Sequence, residues 1–355
     1  MRRKVDKRRW IFAGFNLLLV VLAAVCGILF GRISLQLTSL DAADAWRGSS
    51  EMAFAQIGCF LPVDQTKQET DILQFRQTLE QKLPEESLIA PVGGRLYADA
   101  YSAEARLTVT GDHGSAEVPV IGVGGDFFLF HPLQLRSGSY LSESDLMQDR
   151  VILDEELAWK LFGGMDLTGL TVTIGTADYY IAGVVSREED RYSTLAYTDG
   201  AGMFMSYSAL KKCVETTGIS CYEIVLPEPI TAFGRNLVQE NFPQKDGILV
   251  ENNSRYSLDN LLTVVGDFGE RSMGRNGIIF PYWENAVRMT EDYAALLLVL
   301  FGLFAVLPAI SVAVTIFRLI RILWKTTVHA VRTKTADRIE RHREETWLAA
   351  NEKRE

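Results

Sequence analysis

The sequence predicts an α+β extracytoplasmic domain held between two transmembrane α-helices, and three observations predict it. Two long uncharged apolar runs lie towards the ends of the 355-residue chain: "WIFAGFNLLLVVLAAVCGILF" over 10–30 and "YAALLLVLFGLFAVLPAISVAVTIF" over 293–317. Basic residues crowd outside these runs, as "MRRKVDKRR" before the first and as Arg318, Arg321, Lys325, Arg332 and Lys334 after the second. Between the runs, short strand-like and helix-like stretches alternate, separated by turn residues.

Crossing the hydrocarbon core of a bilayer takes roughly 20 apolar residues of helix, and both runs are long enough. A buried helix of a soluble domain would keep a polar stripe, whereas the first run has only Asn16 as a strongly polar group. Pro308 falls late in the second run, where it would kink a span without preventing it. A cleaved signal peptide has a shorter apolar core and a small-x-small site after it. A lipoprotein would need a small residue where "AAVC" places Val25, just before Cys26. The expectation is therefore an uncleaved anchor.

Lys and Arg gather on the cytoplasmic side of a membrane. The layout that follows is a cytoplasmic N-terminus over 1–9, spans over 10–30 and 293–317, an extracytoplasmic domain over 31–292 and a cytoplasmic tail over 318–355. Charge agrees: the stretch from Arg32 to Asp292 carries 20 Lys and Arg against 38 Asp and Glu, a balance of −18 within a whole-chain −9. Such an acidic outer part leaves membrane lipid as an expected partner and nucleic acid as none.

Along the outer part, "RISLQLTSLDAADAWRGS" reads as a helical continuation leaving the membrane and "EMAFAQIGCFLP" as a strand. "QETDILQFRQTLEQKLP" places Ile72, Phe75 and Leu79 on one helical face and should stop at Pro84. "GGRLYADAYSAEARLTVTGDHGSAEVPVIGVG" reads as paired strands with "GDHGS" as their turn, and "GVGGDFF" as a loop between strands. "RVIL" is a strand, "DEELAWKLFGG" a helix ended by its glycines, and "LTVTIGTADYYIAGVV" a hairpin around Gly175 to Asp178. Strand, helix, strand, helix and strand follow through "DGILVENN", and "NGIIFPYWENAVRMTEDY" leads into the second span.

Asp154, Glu155 and Glu156 are three consecutive carboxylates, the equipment of acid–base hydrolysis. They fall at the cap and first turn of a helix, where carboxylates accept orphan N–H groups and meet the helix dipole. Neighbours on a helix also diverge, so a structural role is expected. The four histidines form no metal-binding spacing, and the chain has neither a G-x-S-x-G elbow nor a G-x-x-x-x-G-K-[ST] phosphate loop. Acidic "SREEDRY" reads as a solvated turn. No catalytic site, cofactor or metal is expected, and the chain is not expected to be an enzyme. Cys213 and Cys221 are close enough to bridge in an oxidising compartment, with separately buried thiols as the competing reading. In the tail, Arg318, Arg321, Lys325 and Arg332 recur at helical spacing among apolar residues, suited to an anionic leaflet or a cytoplasmic protein.

The central segment resembles the extracytoplasmic core domain of macrolide-exporter-type (MacB-like) ABC transporter permeases. The residues that carry the likeness are Val120 to Phe128, Leu133 to Gly138, Val151 to Leu153, Leu157 to Gly163, Asp166 to Gly169 and Val172 to Val184. Gly122, Phe127, Phe128, Gly138, Leu157, Phe162, Gly163, Gly169 and Gly183 are the motif positions, with "SGSY" where the family usually has Gly-Arg. The resemblance implies an external domain of two lobes, the distal one over about 119–200. It also implies an assembly with a separate ABC ATPase and a second permease subunit or a second copy. Family permeases carry three spans after this domain and a cytoplasmic docking segment resembling "R..EIG..KA.GA". Here one span is followed by "RLIRILWKTTVHAVRTK", so direct coupling to the ATPase stands open. The expected function is a permease-like membrane subunit that transmits ATP-driven motion for export or envelope work; the alternative is an anchored binding or scaffold module.

Overall fold

The computed structural model describes residues 7–33, 37–90, 94–143, 145–197, 202–244, 246–272, 274–275 and 277–352, without the side chains of residues 9, 330 and 344–352. The expected end segment over 1–9 therefore lies mostly outside the described residues. The chain divides into two compact units, one of residues 1–30 with 297–355 and one of residues 31–296.

Among the described residues, α1 (Lys7–Ile33) and the greater part of α10 (Tyr282–Glu352) are the two helices long and apolar enough to cross a membrane. α10 stays helical across Pro308. Most apolar side chains of both are exposed, and of α1 only Ala23 and Cys26 are buried. An apolar surface without a protein covering is what a lipid-facing helix presents.

The second unit opens not with a continued helix but with a 3₁₀ turn at Thr38–Leu40 and the short α2 (Ala42–Arg47). Leu37 is extended at φ −104°, and Ala42 and Ala43 are buried, so packing draws the chain out of its helical path. β1 (Phe54–Phe60) is buried on both faces, the mark of a strand covered from two sides. α3 (Glu69–Glu85) lays Ile72, Phe75, Leu79 and Leu83 on the core. It passes Pro84 by one residue, because that ring sits in the final turn and the Glu86 N–H reaches back to Lys82 and Leu83.

β2 (Ala98–Gly111) and β3 (Gly114–Gly125) pair along their whole length. The expected "GVGGDFF" loop is instead the end of β3 running into α4 (Phe127–Phe130); Gly124 lies so near Tyr101 that a Cβ would stand 2.1 Å from its ring. β4 (Gln134–Gly138), β5 (Arg150–Asp154) and α5 (Glu155–Phe162) follow, then β6 (Thr171–Ile174), β7 (Ala177–Ser186) and α6 (Arg191–Ala196). β8 (Met203–Ser206), α7 (Tyr207–Cys213), β9 (Cys221–Pro227), α8 (Phe233–Asn241), β10 (Ile248–Glu251) and α9 (Leu258–Asp267) come next. The ribbon of β11 (Gly274–Arg275) and β12 (Ile278–Ile279) then feeds α10.

One ten-stranded sheet runs in the order β10-β1-β9-β2-β3-β8-β5-β7-β4, with β6 paired to both β2 and β7. That double pairing closes β2, β3, β8, β5, β7 and β6 into a ring, sealed by the two register pairs Val109–Ile174 and Thr110–Thr173. Val118, Val120, Val151, Leu153, Val172, Ile181 and Met205 belong to the core cluster of this ring, with Leu157 and Leu161 of α5. The remaining strands, β10, β1 and β9, extend from β2 as an open sheet under α3 and α8. The two lobes implied by the resemblance thus share β2, whose first half pairs with β9 and whose far end pairs with β6. A second core on the other side holds Phe60, Phe127, Phe130, Ile152, Phe204, Phe280 and Trp283.

Candidate functional site

The first turns of α10 are rooted in the outer domain. Trp283, Ala286, Val287, Ala294 and Ala295 are buried, as are Glu284, Thr290 and Glu291. Glu284 and Glu291 stand seven residues apart, two helical turns, and so share a face. Between them lies Arg255, 2% exposed, from the turn after β10. Its Nη2 donates to Glu284 at 2.5 Å, its Nη1 to Glu291 at 3.1 Å and its Nε to Asn252 at 2.7 Å. Arg271 donates to the other oxygen of Glu291 at 2.7 Å and pairs with Asp292 at 2.5 Å. Arg288 lies 4.0 Å over the Phe280 ring and donates to the Ser272 carbonyl at 2.7 Å. Burial pushes the Glu284 carboxyl up from its ordinary range, with Arg255 pulling the other way. Two guanidinium groups, of Arg255 and Arg271, thus pair with three carboxylates where the apolar run begins. Among these residues no nucleophile meets a base; the cluster ties the first turns of α10 to the turn after β10 and to Arg271. The sequence reading took this stretch as a plain lead-in. Its local sign is the acidic pair Glu284 and Glu291, which shares a helical face with Arg288.

Asp154 ends β5 and caps α5, its Oδ1 accepting the Leu157 N–H at 2.7 Å. Its Oδ2 accepts from Arg187 Nε at 2.9 Å, from Arg187 Nη2, and from the Gly202 N–H. Burial pushes this carboxyl up, against the pull of Arg187. Glu155 turns to Ser186 and Arg136, and the exposed Glu156 meets Arg187 Nη1 at 3.5 Å. Asp154 and Glu156 thus share the Arg187 guanidinium, while Glu155 turns away from it to Ser186 and Arg136. "SREEDRY" is more than a solvated turn: Arg187 holds Asp154, Glu188 accepts from Tyr197 and Tyr282, and Asp190 caps α6 through the Tyr192 and Ser193 N–H groups. Among the described residues no three His, Cys, Asp or Glu side chains are placed to share a metal ion.

The motif positions are packing and backbone positions. Gly122 lets α7 approach β3, since a Cβ there would stand 2.6 Å from Leu210. Gly138 has φ +76°, and a Cβ would fall 2.0 Å from the Ala182 carbonyl, so β4 and β7 close only around glycine. Gly183 faces it in the same pairing, Gly163 ends α5, and Gly169 follows in the turn before β6. Leu157 is fully buried, Phe162 packs against the ring core, and Phe127 joins Phe204 and Trp283. Phe128 stacks on Tyr140 at 4.6 Å.

The bridge between Cys213 and Cys221 is not formed. Cys213, at the end of α7, packs against the ring-side core beside the Tyr179 hydroxyl at 3.4 Å, whereas Cys221 is buried in the opposite core. The sheet separates them. In the tail, Arg318, Arg321, Lys325 and Arg332 are all exposed on α10, as are Leu319, Ile322 and Leu323. Further along the tail, the sequence also suggests a helical pair of Arg341 with Glu345 and a small apolar spot at Trp347 and Leu348, and these lie outside the described side chains.

A family model described as MacB-like periplasmic core domain matches residues 22–232. A relative, the macrolide export ATP-binding/permease protein MacB of Chromobacterium violaceum, is 28% identical over 124 residues, 34% of this chain and 19% of its own length. The match thus spans about a fifth of that relative. The periplasmic region of MacB from Actinobacillus actinomycetemcomitans is similar at 15% identity and a TM-score of 0.42, covering 61% of this chain and 94% of that one. The extracellular domain of the noncanonic ABC-type transporter YknZ from Gram-positive bacteria is similar at 17% identity and a TM-score of 0.38, covering 55% and 98%.

Proposed function

The chain belongs to the MacB-like periplasmic core domain family, and from that premise we propose that it is a permease-like membrane subunit of an ABC-type complex. In this reading a separate ATPase drives motion that the chain passes to its outer domain, for export or another envelope task. Residues 1–9 and 318–355 lie inside, 31–292 outside, and 10–30 and 293–317 span the membrane. The relative's own name joins an ATP-binding part to a permease, and residues 1–355 hold no phosphate loop, so in this reading the ATP-binding part lies outside them. A further permease subunit or a second copy completes the assembly.

The observation that carries the reading is the rooted start of α10. A helix whose acidic face is held by Arg255 and Arg271 cannot turn or slide against the domain without separating buried ions. Breaking such a pair costs about 3–5 kcal/mol, so displacement of the helix is passed on rather than absorbed. The apolar runs hold no Asp, Glu, Lys, Arg or His, the residues that usually mark a route for charged solutes. This supports transmission over conduction. The test is purification of the full chain from its own membranes in mild detergent after cross-linking. An ATPase, with a second permease or a second copy, is expected to accompany it; recovery of the chain with neither refutes the proposal.

The second reading, an anchored binding or scaffold module, draws on the tail, where "RLIRILWKTTVHAVRTK" stands in place of the family's docking pattern. Deleting the chain from Arg332 onward separates the two. Loss of function with normal insertion favours a cytoplasmic partner, and indifference favours the outer module.

A further inference from the structure

A cavity of about 210 Å³ opens within the outer domain between β10, α9 and the first turns of α10, beside the start of α8. Five arginines line it, Arg235, Arg255, Arg271, Arg275 and Arg288, against three glutamates, Glu251, Glu284 and Glu291. Positive charge therefore prevails here, inside an outer part that is acidic as a whole.

Pairing within the protein consumes only part of that charge. Arg255 and Arg271 are taken up by Glu284, Glu291 and Asp292. Arg275 reaches Asp267 at 3.5 Å and Glu270 at 3.3 Å, both well exposed, and exposed pairs hold weakly. Arg288 forms no ion pair among the described residues: its Nη1 donates to the Ser272 carbonyl, and its guanidinium lies over the Phe280 ring. Burial holds the Arg288 guanidinium below its ordinary value, Glu284 pulls it back up, and the charge of Arg271 adds to the lowering. The exposed Arg235 forms no ion pair among the described residues either. The Glu251 carboxyl is pushed up by burial and by Glu228, with Arg235 pulling the other way from beyond pairing distance. Each arginine carries five N–H donors in a planar fork, and Arg235, Arg275 and Arg288 commit few of theirs.

Such forks match the oxygens of carboxylate and phosphate. Three of them around one space suit phosphate, whose oxygens do not lie in one plane. Height along α10 favours the same group. Arg288 precedes the apolar run at Tyr293 by five residues, about 7.5 Å of helix. The headgroup layer adds about 5–7.5 Å to each face of a bilayer, so with 293–317 as a span the cavity stands level with lipid phosphates.

We propose that this cavity binds a phosphate group, held by Arg288 and Arg235 with Arg275 beside them and opposed by Glu251. The group belongs to a phospholipid headgroup or to a free phosphate. The site itself rests on the outer domain alone. Only its assignment to lipid rests on the proposed span, whose own failure would show separately as release of the chain from membranes by alkaline carbonate.

The test titrates the full chain in uncharged detergent micelles by calorimetry. The probes are inorganic phosphate, at an ionic strength held constant with chloride, and dioctanoyl phosphatidic acid. Dioctanoylglycerol, with the same tails and no phosphate, is the blank. Saturable phosphate binding is expected. Arg288→Gln should weaken it by about tenfold, and Arg235→Gln, an exposed change, by about threefold. Glu251→Gln should tighten it by about threefold, because the opposing carboxylate is gone; damage to the fold would not strengthen binding. Phosphatidic acid that binds tenfold or more tighter than inorganic phosphate assigns the group to a lipid headgroup, and a smaller difference assigns it to a solute. Phosphatidic acid that binds no better than dioctanoylglycerol, together with no saturable phosphate binding, overturns the proposal. So does a Glu251→Gln variant that fails to tighten it.

Discussion

Replacing Arg255 with Met removes the guanidinium that lies between Glu284 and Glu291 and leaves a side chain of similar length. Glu291 keeps Arg271 at 2.7 Å, so the group left alone is Glu284, whose side chain is 4% exposed. An orphaned buried charge costs about 3–5 kcal/mol. At about 2–4 °C per kcal/mol for a domain of this size, the outer unit should melt about 6–20 °C lower. The loss should depend on pH in a stated direction. Burial already holds the Glu284 carboxyl above its ordinary value with Arg255 present, and without Arg255 it rises further. Between the ordinary carboxylate value and the raised one, the folded chain keeps a proton that the unfolded chain releases. Stability therefore falls as pH climbs through that window, and the deficit is larger near pH 8 than near pH 5. Thermal unfolding of the full chain in detergent, followed by tryptophan fluorescence at both pH values, measures this. Glu284→Gln added to Arg255→Met should recover part of the loss, because it deletes the orphan charge. A deficit no larger than that of Arg95→Met, whose arginine is half exposed in its pair with Asp126, would refute the reasoning. So would a deficit that ignores pH.

Other outcomes follow from the same geometry. Gly138→Ala should destabilise the outer unit well beyond Gly169→Ala, which has φ +87° but open space and should cost about 1–2 kcal/mol; equal melting of the two variants would count against the close approach of β4 to β7. Asp154→Ala removes the α5 cap and the partner of Arg187 together and should cost about 2–4 kcal/mol, whereas Asp154→Asn keeps the capping acceptor and should cost less; an Asn variant as unstable as Ala would show the cap to be idle. Maleimide labelling of the unfolded chain should add four groups, one per cysteine, with or without reductant, and a mass gain of only two groups without reductant would restore a bridge.

The features legible in sequence are those fixed by local chemistry. The α1 run is apolar all round, the β2–β3 hairpin declares itself by its turn, and α5 carries its cap at Asp154 and its stop at Gly163 within ten residues. What sequence did not disclose depends on partners brought from afar. Glu284 meets an arginine 29 residues away, and His131 meets a glutamate 92 residues away; no periodicity records either. Cys213 and Cys221 stay open in sequence between a bridge and separately buried thiols for the same reason, since eight residues of separation say nothing of which side of a sheet each thiol faces. The break after α1 was missed because helical propensity continues where burial of Leu37, Ala42 and Ala43 redirects the chain.

The strand ring is a barrel with staves of unequal grip. β2 and β3 are laced by twelve register pairs, while the seam between β2 and β6 has two. Local opening follows the fewest bonds, so the barrel can part along that seam while the long hairpin stays zipped. Whatever strain reaches the far end of β2 is released at Val109 and Ile174, and the open sheet on the strand's other half keeps its shape.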